Sequence, residues 1–282
     1  MNYSIFKFRG LECPLRPPEN SDGGGGQPPY LRHMPAAWLN SKWRPPASTP
    51  ATIIFIHGAV VNGEEMYPLR HRLGQLGYRT RLFQYQSMLK GLDENVLLLQ
   101  KFVQETDGAV VHVVGHSMGG VLIRQAFELE PDPRPGRLVA IGSPLLDCWV
   151  GHRFKRLHPH LGRYIIGRTV NDHISRPRNP LWHGSRDFGV IAGTYPFGLG
   201  AIFRSHPRPS DGVVLWEETR MQGIRDHITF RLNHFGMLFS RRCCAQTARF
   251  LATGTFGHPV PVTVEKKVAS GYSSAADPAA SR

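Results

Sequence analysis

The chain contains little cysteine and no long apolar run. Its four cysteines, Cys13, Cys148, Cys243 and Cys244, are too few to form a disulfide framework in 282 residues. No apolar stretch approaches the roughly 20 residues that a membrane-spanning helix needs. The N-terminal residues also lack the apolar core, about 7–15 residues long, of a secretory signal. We therefore expect a cytoplasmic protein with reduced thiols.

Acidic residues are also scarce relative to basic ones. The chain has 21 Asp and Glu against 34 Lys and Arg, which gives a formal net charge of +13 at pH 7. The basic residues are scattered, without the run of about 5–8 Lys and Arg or the recognisable module that would indicate specific nucleic-acid binding. This pattern favours a solvated basic surface over a functional attraction to anionic partners. Nothing in the composition predicts an oligomeric state.

The composition divides the chain into three parts. Residues 1–50 are rich in proline and glycine, which predicts a segment that is poorly ordered or packed on the surface. Residues 51–252 alternate between strand-like and helix-like patterns, and residues 253–282 form a predicted disordered tail. This alternation predicts an α/β fold with a mostly parallel sheet and helices on both faces. The predicted strands are 52–56, 78–85, 110–114, 138–141, 190–192 and 228–232.

Residues 145–187 interrupt this alternation. They mix basic residues with aromatic and aliphatic ones, which predicts a helical cap or lid inserted over the sheet. His152, His158 and His160 fall within it and could be considered as metal ligands. No cysteine or carboxylate pattern completes a site around them, so a solvated basic face is the favoured interpretation. We expect no metal and no cofactor.

Residues 110–120 carry the most informative motif. An apolar run that ends at Val114 precedes Gly115-His116-Ser117-Met118-Gly119, a G-x-S-x-G sequence, and a helical pattern follows it. A serine between a buried strand and a helix lies on a sharp turn that exposes its hydroxyl. A serine hydroxyl becomes a nucleophile when a base can reach it and take its proton. Ser117 is therefore the predicted nucleophile.

A serine nucleophile requires a base and an acid that orients the base. In α/β-hydrolases the acid follows the serine and the histidine comes last. Two acids compete: Asp211 lies in a turn-forming Ser-Asp-Gly sequence, whereas Asp226 starts the last predicted strand. We prefer Asp211, because triad acids lie on loops that follow strands.

The predicted base is His234, which follows the last strand and precedes a single predicted helix through Leu251. His227 precedes that strand and is the weaker candidate. The remaining requirement is an oxyanion hole formed by two backbone N–H groups. We assign them to Met118, which follows the nucleophile, and to Ala59 in the loop after the first strand, with Val60 as the alternative to Ala59.

Five blocks in order resemble bacterial α/β-hydrolases of the lipase and esterase group. The blocks are residues 56–58, 115–120, 141–144, 211–214 and 233–237, and the resemblance spans about residues 50–252. In that family a serine, an aspartate and a histidine form the triad, which matches Ser117, Asp211 and His234. The resemblance implies a serine hydrolase that cleaves carboxylic esters, with a small-molecule or lipid ester as substrate.

Two other functions are consistent with the same residues. An acyltransferase would use the same triad and pass the acyl group to an alcohol or an amine instead of water. A non-catalytic protein on a hydrolase scaffold would use the basic insertion to bind an anionic partner, since a fold alone does not determine function.

Overall fold

A six-stranded parallel sheet forms the centre of the protein. The computed structural model describes residues 51–158, 162–176, 179–197 and 208–258. The predictions for residues 1–50, for His160 and for the end of the tail lie outside these residues. The strands are β1 (Thr52–Ile56), β2 (Arg79–Phe83), β3 (Val111–His116), β4 (Leu138–Ile141), β5 (Phe188–Gly193) and β6 (Asp226–Phe230).

The strand order is β2-β1-β3-β4-β5-β6, and all neighbouring strands are parallel. Ile56 at the end of β1 is therefore in register with Gly115 in β3, and His116 is in register with Ile141 at the end of β4. The carboxyl ends of the strands meet at one edge of the sheet. In open α/β sheets this is the edge at which ligands bind.

Seven α-helices lie between and after the strands in the part of the chain that the structure describes. They are α1 (Tyr67–Gln75), α2 (Leu92–Gln104), α3 (Met118–Leu129), α4 (Trp149–Leu157), α5 (Gly162–Ile174), α6 (Gly236–Phe239) and α7 (Arg241–Thr253). The single helix predicted after His234 is wrong, since α6 and α7 are separate. Ser240 lies between them in extended conformation, and its hydroxyl accepts a hydrogen bond from the N–H of Cys243 at 3.3 Å. A serine that caps a new helix explains the break.

The four central strands, β1, β3, β4 and β5, bury both of their faces, which confirms the prediction of helices on both sides of the sheet. On one face, alternate residues such as Ile54 and Val113 pack against α2 and α3. On the other face, Ile53, Phe55 and Val114 pack against α1 and α7. A strand that is buried on both faces reads as a continuous apolar run, which is the pattern that made these strands recognisable.

Two helices, α4 and α5, occupy the insertion between β4 and β5. Their helical conformation agrees with the predicted helical insertion, while its role as a cap stays a prediction. Helix α5 contains a kink at Gly167, where φ is 80°. Its Asp172 carboxylate accepts a hydrogen bond from the N–H of Leu92 at the start of α2, at 2.9 Å. The insertion is thus joined to the body of the domain.

The described part of the C-terminal region packs onto the domain. Residues 254–258 fall in the predicted tail, yet Phe256 is 3% exposed and its ring lies 4.7 Å from that of Phe250 in α7. Cys148, Cys243 and Cys244 are buried free thiols. Within the described ranges, no helix combines the length and the apolar character needed to cross a membrane.

Buried histidines make the stability of this fold sensitive to acid. His112 in β3 is 2% exposed, and its Nδ1 accepts a hydrogen bond from the N–H of Arg137 at 2.9 Å. Burial, assisted by the charges of Arg137 and Arg186, lowers the pKa of His112 to about 3. The unfolded chain therefore binds a proton at this histidine at a higher pH than the folded protein does.

We expect the free energy of unfolding to fall as the pH drops from about 6.5 towards 3, because protonation then favours the unfolded chain. In His112→Asn, the loss of unfolding free energy across this pH interval should be smaller by on the order of a few kcal/mol. Ser175→Ala, an exposed change that removes no titratable group, should leave this dependence unaltered. Urea unfolding at a series of pH values measures both slopes, and equal slopes for His112→Asn and the wild type would contradict this assignment.

Candidate active site

Ser117 lies on a strained turn between β3 and α3. Its backbone has φ 53° and ψ −123°, an unfavourable conformation for a residue with a side chain. The turn is tight because its neighbours are glycine. A Cβ on Gly115 would lie 2.5 Å from the carbonyl carbon of Gly119, and a Cβ on Gly119 would overlap the carbonyl oxygen of Ile56. These contacts explain the two glycines of the motif.

Asp211 and His234 form a buried pair. The His234 Nδ1 lies 2.7 Å from the Asp211 Oδ2, and the two residues are 4% and 1% exposed. Since the carboxylate only accepts, Nδ1 carries the proton and Nε2 is left as the basic nitrogen. The other carboxylate oxygen accepts from the N–H groups of Val213 and Val214 at 2.9 and 2.8 Å. These bonds fix the acid, and the acid orients the imidazole.

The loops of the pair adjoin the serine turn. The His116 Nε2 lies 3.2 Å from the carbonyl oxygen of His234, and their ring centroids are 4.5 Å apart. At the end of β4, a Cβ on Gly142 would lie 3.0 Å from the Asp211 Oδ2 and 3.2 Å from the His234 Nδ1. The three residues predicted as a triad thus belong to loops that meet at the carboxyl edge of the sheet.

Burial lowers the pKa of His116 well below its usual value, and the neighbouring His234 adds to this effect. A neutral His116 can donate its Nε2 proton to the carbonyl of His234. His116 was not among the predicted site residues. Its place in the motif, directly before the serine, is the only sequence signal for this contact.

The competing candidates lie elsewhere. Asp226 is at the amino end of β6, where it accepts from the N–H of Phe256 at 2.7 Å and contacts the His258 Nε2 at 2.8 Å. His227 follows it, and its Nε2 lies 2.9 Å from the Thr219 hydroxyl. The amino end of a parallel strand is at the opposite edge of the sheet from the carboxyl end. The geometry therefore favours Asp211 and His234 over these two residues.

Met118 follows Ser117 in the chain, and the loop that carries Ala59 lies against Ser117 through Gly58. Met118 opens α3, so its N–H has no acceptor within the helix. A Cβ on Gly58 would lie 3.2 Å from the Ser117 Cβ, which brings the loop after β1 against the nucleophile. The N–H of Val60, the alternative to Ala59, instead donates to the hydroxyl of Ser87 at 3.0 Å. Because the N–H of Val60 is already engaged in this bond, Ala59 stays the preferred assignment.

His57 organises the loop that carries Ala59. Its Nδ1 donates to the Gly58 carbonyl at 2.7 Å, and its Nε2 accepts from the N–H of Tyr85 at 3.1 Å. The His57 and Tyr85 rings stack with their centroids 4.4 Å apart. Burial lowers the pKa of His57, which keeps the ring neutral for this pair of bonds. From the sequence, His57 was noted as part of the resemblance block 56–58, and neither Tyr85 nor Ser87 was identified.

The insertion offers no metal site among the residues that the structure describes. His152, which the sequence analysis considered as a ligand, contacts the carboxylate of Asp147 at 2.8 Å. His158 directly follows α4 and is exposed.

Comparison with known proteins relates the sequence of this chain to one family. A family model described as "Alpha/beta hydrolase family" matches residues 53–255. No curated protein sequence matches this chain significantly.

Solved structures share the fold at low sequence identity. The mature form of the lipase BlEst2 from Bacillus licheniformis is 16% identical, with a TM-score of 0.57 over 76% of this chain and 95% of that one. Its propeptide form gives a TM-score of 0.61 at 16% identity, over 78% of this chain and 53% of that one. The metagenomic carboxyl esterase MGS0156 is 12% identical, with a TM-score of 0.51 over 74% of this chain and 77% of that one.

The serine turn predicts a contrast between two glycine substitutions. Gly115→Ala should destabilise the fold by about 1–3 kcal/mol, because the new methyl group would overlap backbone atoms that cannot move aside. Gly74→Ala in α1 should stabilise it by about 0.5–1 kcal/mol, since its Cβ would meet only the Thr80 methyl group at 3.9 Å. Urea unfolding measures both. A Gly115→Ala protein as stable as the wild type would rule out this tight packing.

Proposed function

The chain belongs to the alpha/beta hydrolase family, and from this premise we propose that it is a serine hydrolase that cleaves carboxylic esters. The observation that carries the proposal is the buried contact of 2.7 Å between the His234 Nδ1 and the Asp211 Oδ2, beside the strained turn of Ser117. A histidine held in this tautomer presents a basic Nε2, which is what a serine nucleophile requires.

In the first step the Ser117 Oγ attacks the ester carbonyl and its proton passes to the Nε2 of His234. Asp211 stabilises the resulting imidazolium and holds the ring in place. The carbonyl oxygen becomes an oxyanion, which accepts hydrogen bonds from the N–H groups of Met118 and Ala59. Donors that are fixed in advance stabilise this charge without reorganising during the reaction.

The tetrahedral intermediate then collapses. His234 gives its proton to the leaving alcohol, the C–O bond of the ester breaks, and the acyl group stays on Ser117. A water molecule attacks this acyl-enzyme while His234 takes a proton from it. The same oxyanion donors act again, the bond between the acyl carbon and the Ser117 Oγ breaks, and His234 returns its proton to this oxygen. The acid product then leaves with Ser117 restored.

The choice of a carboxylic ester as substrate rests on the likeness of fold to a lipase and to a carboxyl esterase. An acyltransferase would use the same residues, so the test must follow release of the free acid in the absence of an added alcohol or amine.

A fluorophosphonate probe should label Ser117. The Oγ–P bond forms, fluoride leaves and the serine proton passes to His234, so labelling requires the activated serine. Mass spectrometry of the labelled peptide should locate the probe at Ser117, and Ser117→Ala should abolish both labelling and the hydrolysis of p-nitrophenyl butyrate. Ser175→Ala, at an exposed serine on the insertion, is the matched control and should react as the wild type does. Folded wild-type protein that resists the probe would refute the proposal.

Substitution of the two competing acids separates their roles. Asp211→Asn should lower kcat on the order of 10³–10⁴-fold, because an amide no longer selects the required tautomer of His234. Asp226→Asn should leave kcat within about twofold, since Asp226 lies at the opposite edge of the sheet. Steady-state kinetics with p-nitrophenyl butyrate measures both. A large loss in Asp226→Asn with none in Asp211→Asn would reverse the assignment.

A further inference from the structure

The segment between β2 and α2, residues 84–91, supports the loop that carries the proposed oxyanion donor. We call it the β2–α2 loop. It holds the loop after β1 at two points: the N–H of Tyr85 donates to the His57 Nε2 at 3.1 Å, and the hydroxyl of Ser87 accepts from the N–H of Val60 at 3.0 Å. Ala59 lies between these two anchored residues.

Val60 needs such an anchor. Its φ is 66°, in the left-handed region that β-branched residues avoid, and its side chain is 61% exposed. An exposed side chain gains little from packing, so packing does not hold this conformation. The bond from its N–H to Ser87 fixes the peptide between Ala59 and Val60 and thereby restricts rotation at Ala59. The hydroxyl of Ser87 itself is well defined, since the residue is 4% exposed.

The helical insertion in turn holds the β2–α2 loop. At the kink of α5, the N–H of Thr169 donates to the carbonyl of Ser87 at 3.1 Å, and the N–H of Arg168 donates to that of Met88 at 3.2 Å. The kink makes this close approach feasible. A Cβ on Gly167 would lie only 2.7 Å from the Ser87 carbonyl oxygen.

Helix α2 completes the support. The hydroxyl of Thr169 donates to the carbonyl of Lys90 at 2.9 Å and accepts from the Asn95 Nδ2 at 2.9 Å. Asn95 and Thr169 are both fully buried, so these bonds are shielded from competing water. A continuous set of hydrogen bonds therefore runs from the insertion through Ser87 to the loop of Ala59.

We propose that Ser87 is a positioning residue for the oxyanion hole, held by α5 and acting on Ala59 through the N–H of Val60. This inference rests on the proposed function. It gives the insertion a role in catalysis that does not depend on movement as a lid. Ser87 touches neither the substrate nor the reacting atoms, and its contribution is to keep a backbone donor aligned where charge develops.

The test compares Ser87→Ala with two other variants of the full-length chain. Removal of one direct oxyanion donor costs about 10²–10³-fold in kcat, so loss of its indirect support should cost about 10-fold. KM for p-nitrophenyl butyrate should stay within about twofold, because the oxyanion forms only after binding. The rate constant for fluorophosphonate labelling should fall in parallel, since the phosphonyl oxygen occupies the oxyanion position.

Ser87→Thr retains the hydroxyl and should recover most of the rate, whereas Ser175→Ala should match the wild type throughout. Thermal melting checks that each variant is folded, and titration with the probe counts its reactive serines. Each rate can then be given per reactive site. An unchanged kcat per reactive site in Ser87→Ala, even with a lower melting temperature, would assign Ser87 a structural role only and overturn the proposal. If kcat is unchanged in Ser87→Ala while the wild type is active, the proposed function still stands. If the wild type itself is inactive, both proposals are refuted.

Discussion

The hydrogen bond between His234 and Asp211 is the contact on which the rest of the site depends. A carboxylate that is 1% exposed is unfavourable unless hydrogen-bond donors surround it. Two backbone N–H groups, those of Val213 and Val214, and the His234 imidazole donate to this carboxylate. In addition, the backbone N–H of His234 donates to the backbone carbonyl of Asp211 at 2.9 Å. The loops after β5 and β6 therefore fold around each other and bring the histidine to the carboxyl edge of the sheet.

Much of this arrangement follows from local sequence. The strand at 111–116 is buried on both faces and reads as an apolar run, and the glycines around Ser117 indicate a tight turn before α3. The carboxyl ends of parallel strands lie at the same edge of a sheet. The order of the motifs along the chain was therefore enough to predict that Ser117, Asp211 and His234 lie at that edge. The turn residues around Asp211 were also the reason to prefer it to Asp226, which starts a strand.

Other features depend on contacts between distant segments, which spacing does not reveal. The bond from Val60 to Ser87 joins residues 27 positions apart, and Thr169 joins the same loop from the insertion. A serine in a polar stretch carries no local signal of such a role. The break between α6 and α7 was missed for a different reason, because the apolar spacing continues across Ser240 while its side chain caps the second helix.

Backbone strain and polar support coincide at this site. Among the residues that the structure describes, Val60 and Ser117 are the two that have positive φ without being glycine. They flank the two proposed oxyanion donors, Ala59 and Met118. Such conformations persist only where surrounding contacts enforce them. For Ser117 that enforcement comes from packing at the glycines of the turn. For the exposed Val60 it comes from one buried hydroxyl, so the two halves of the hole should differ in rigidity and in their sensitivity to single substitutions.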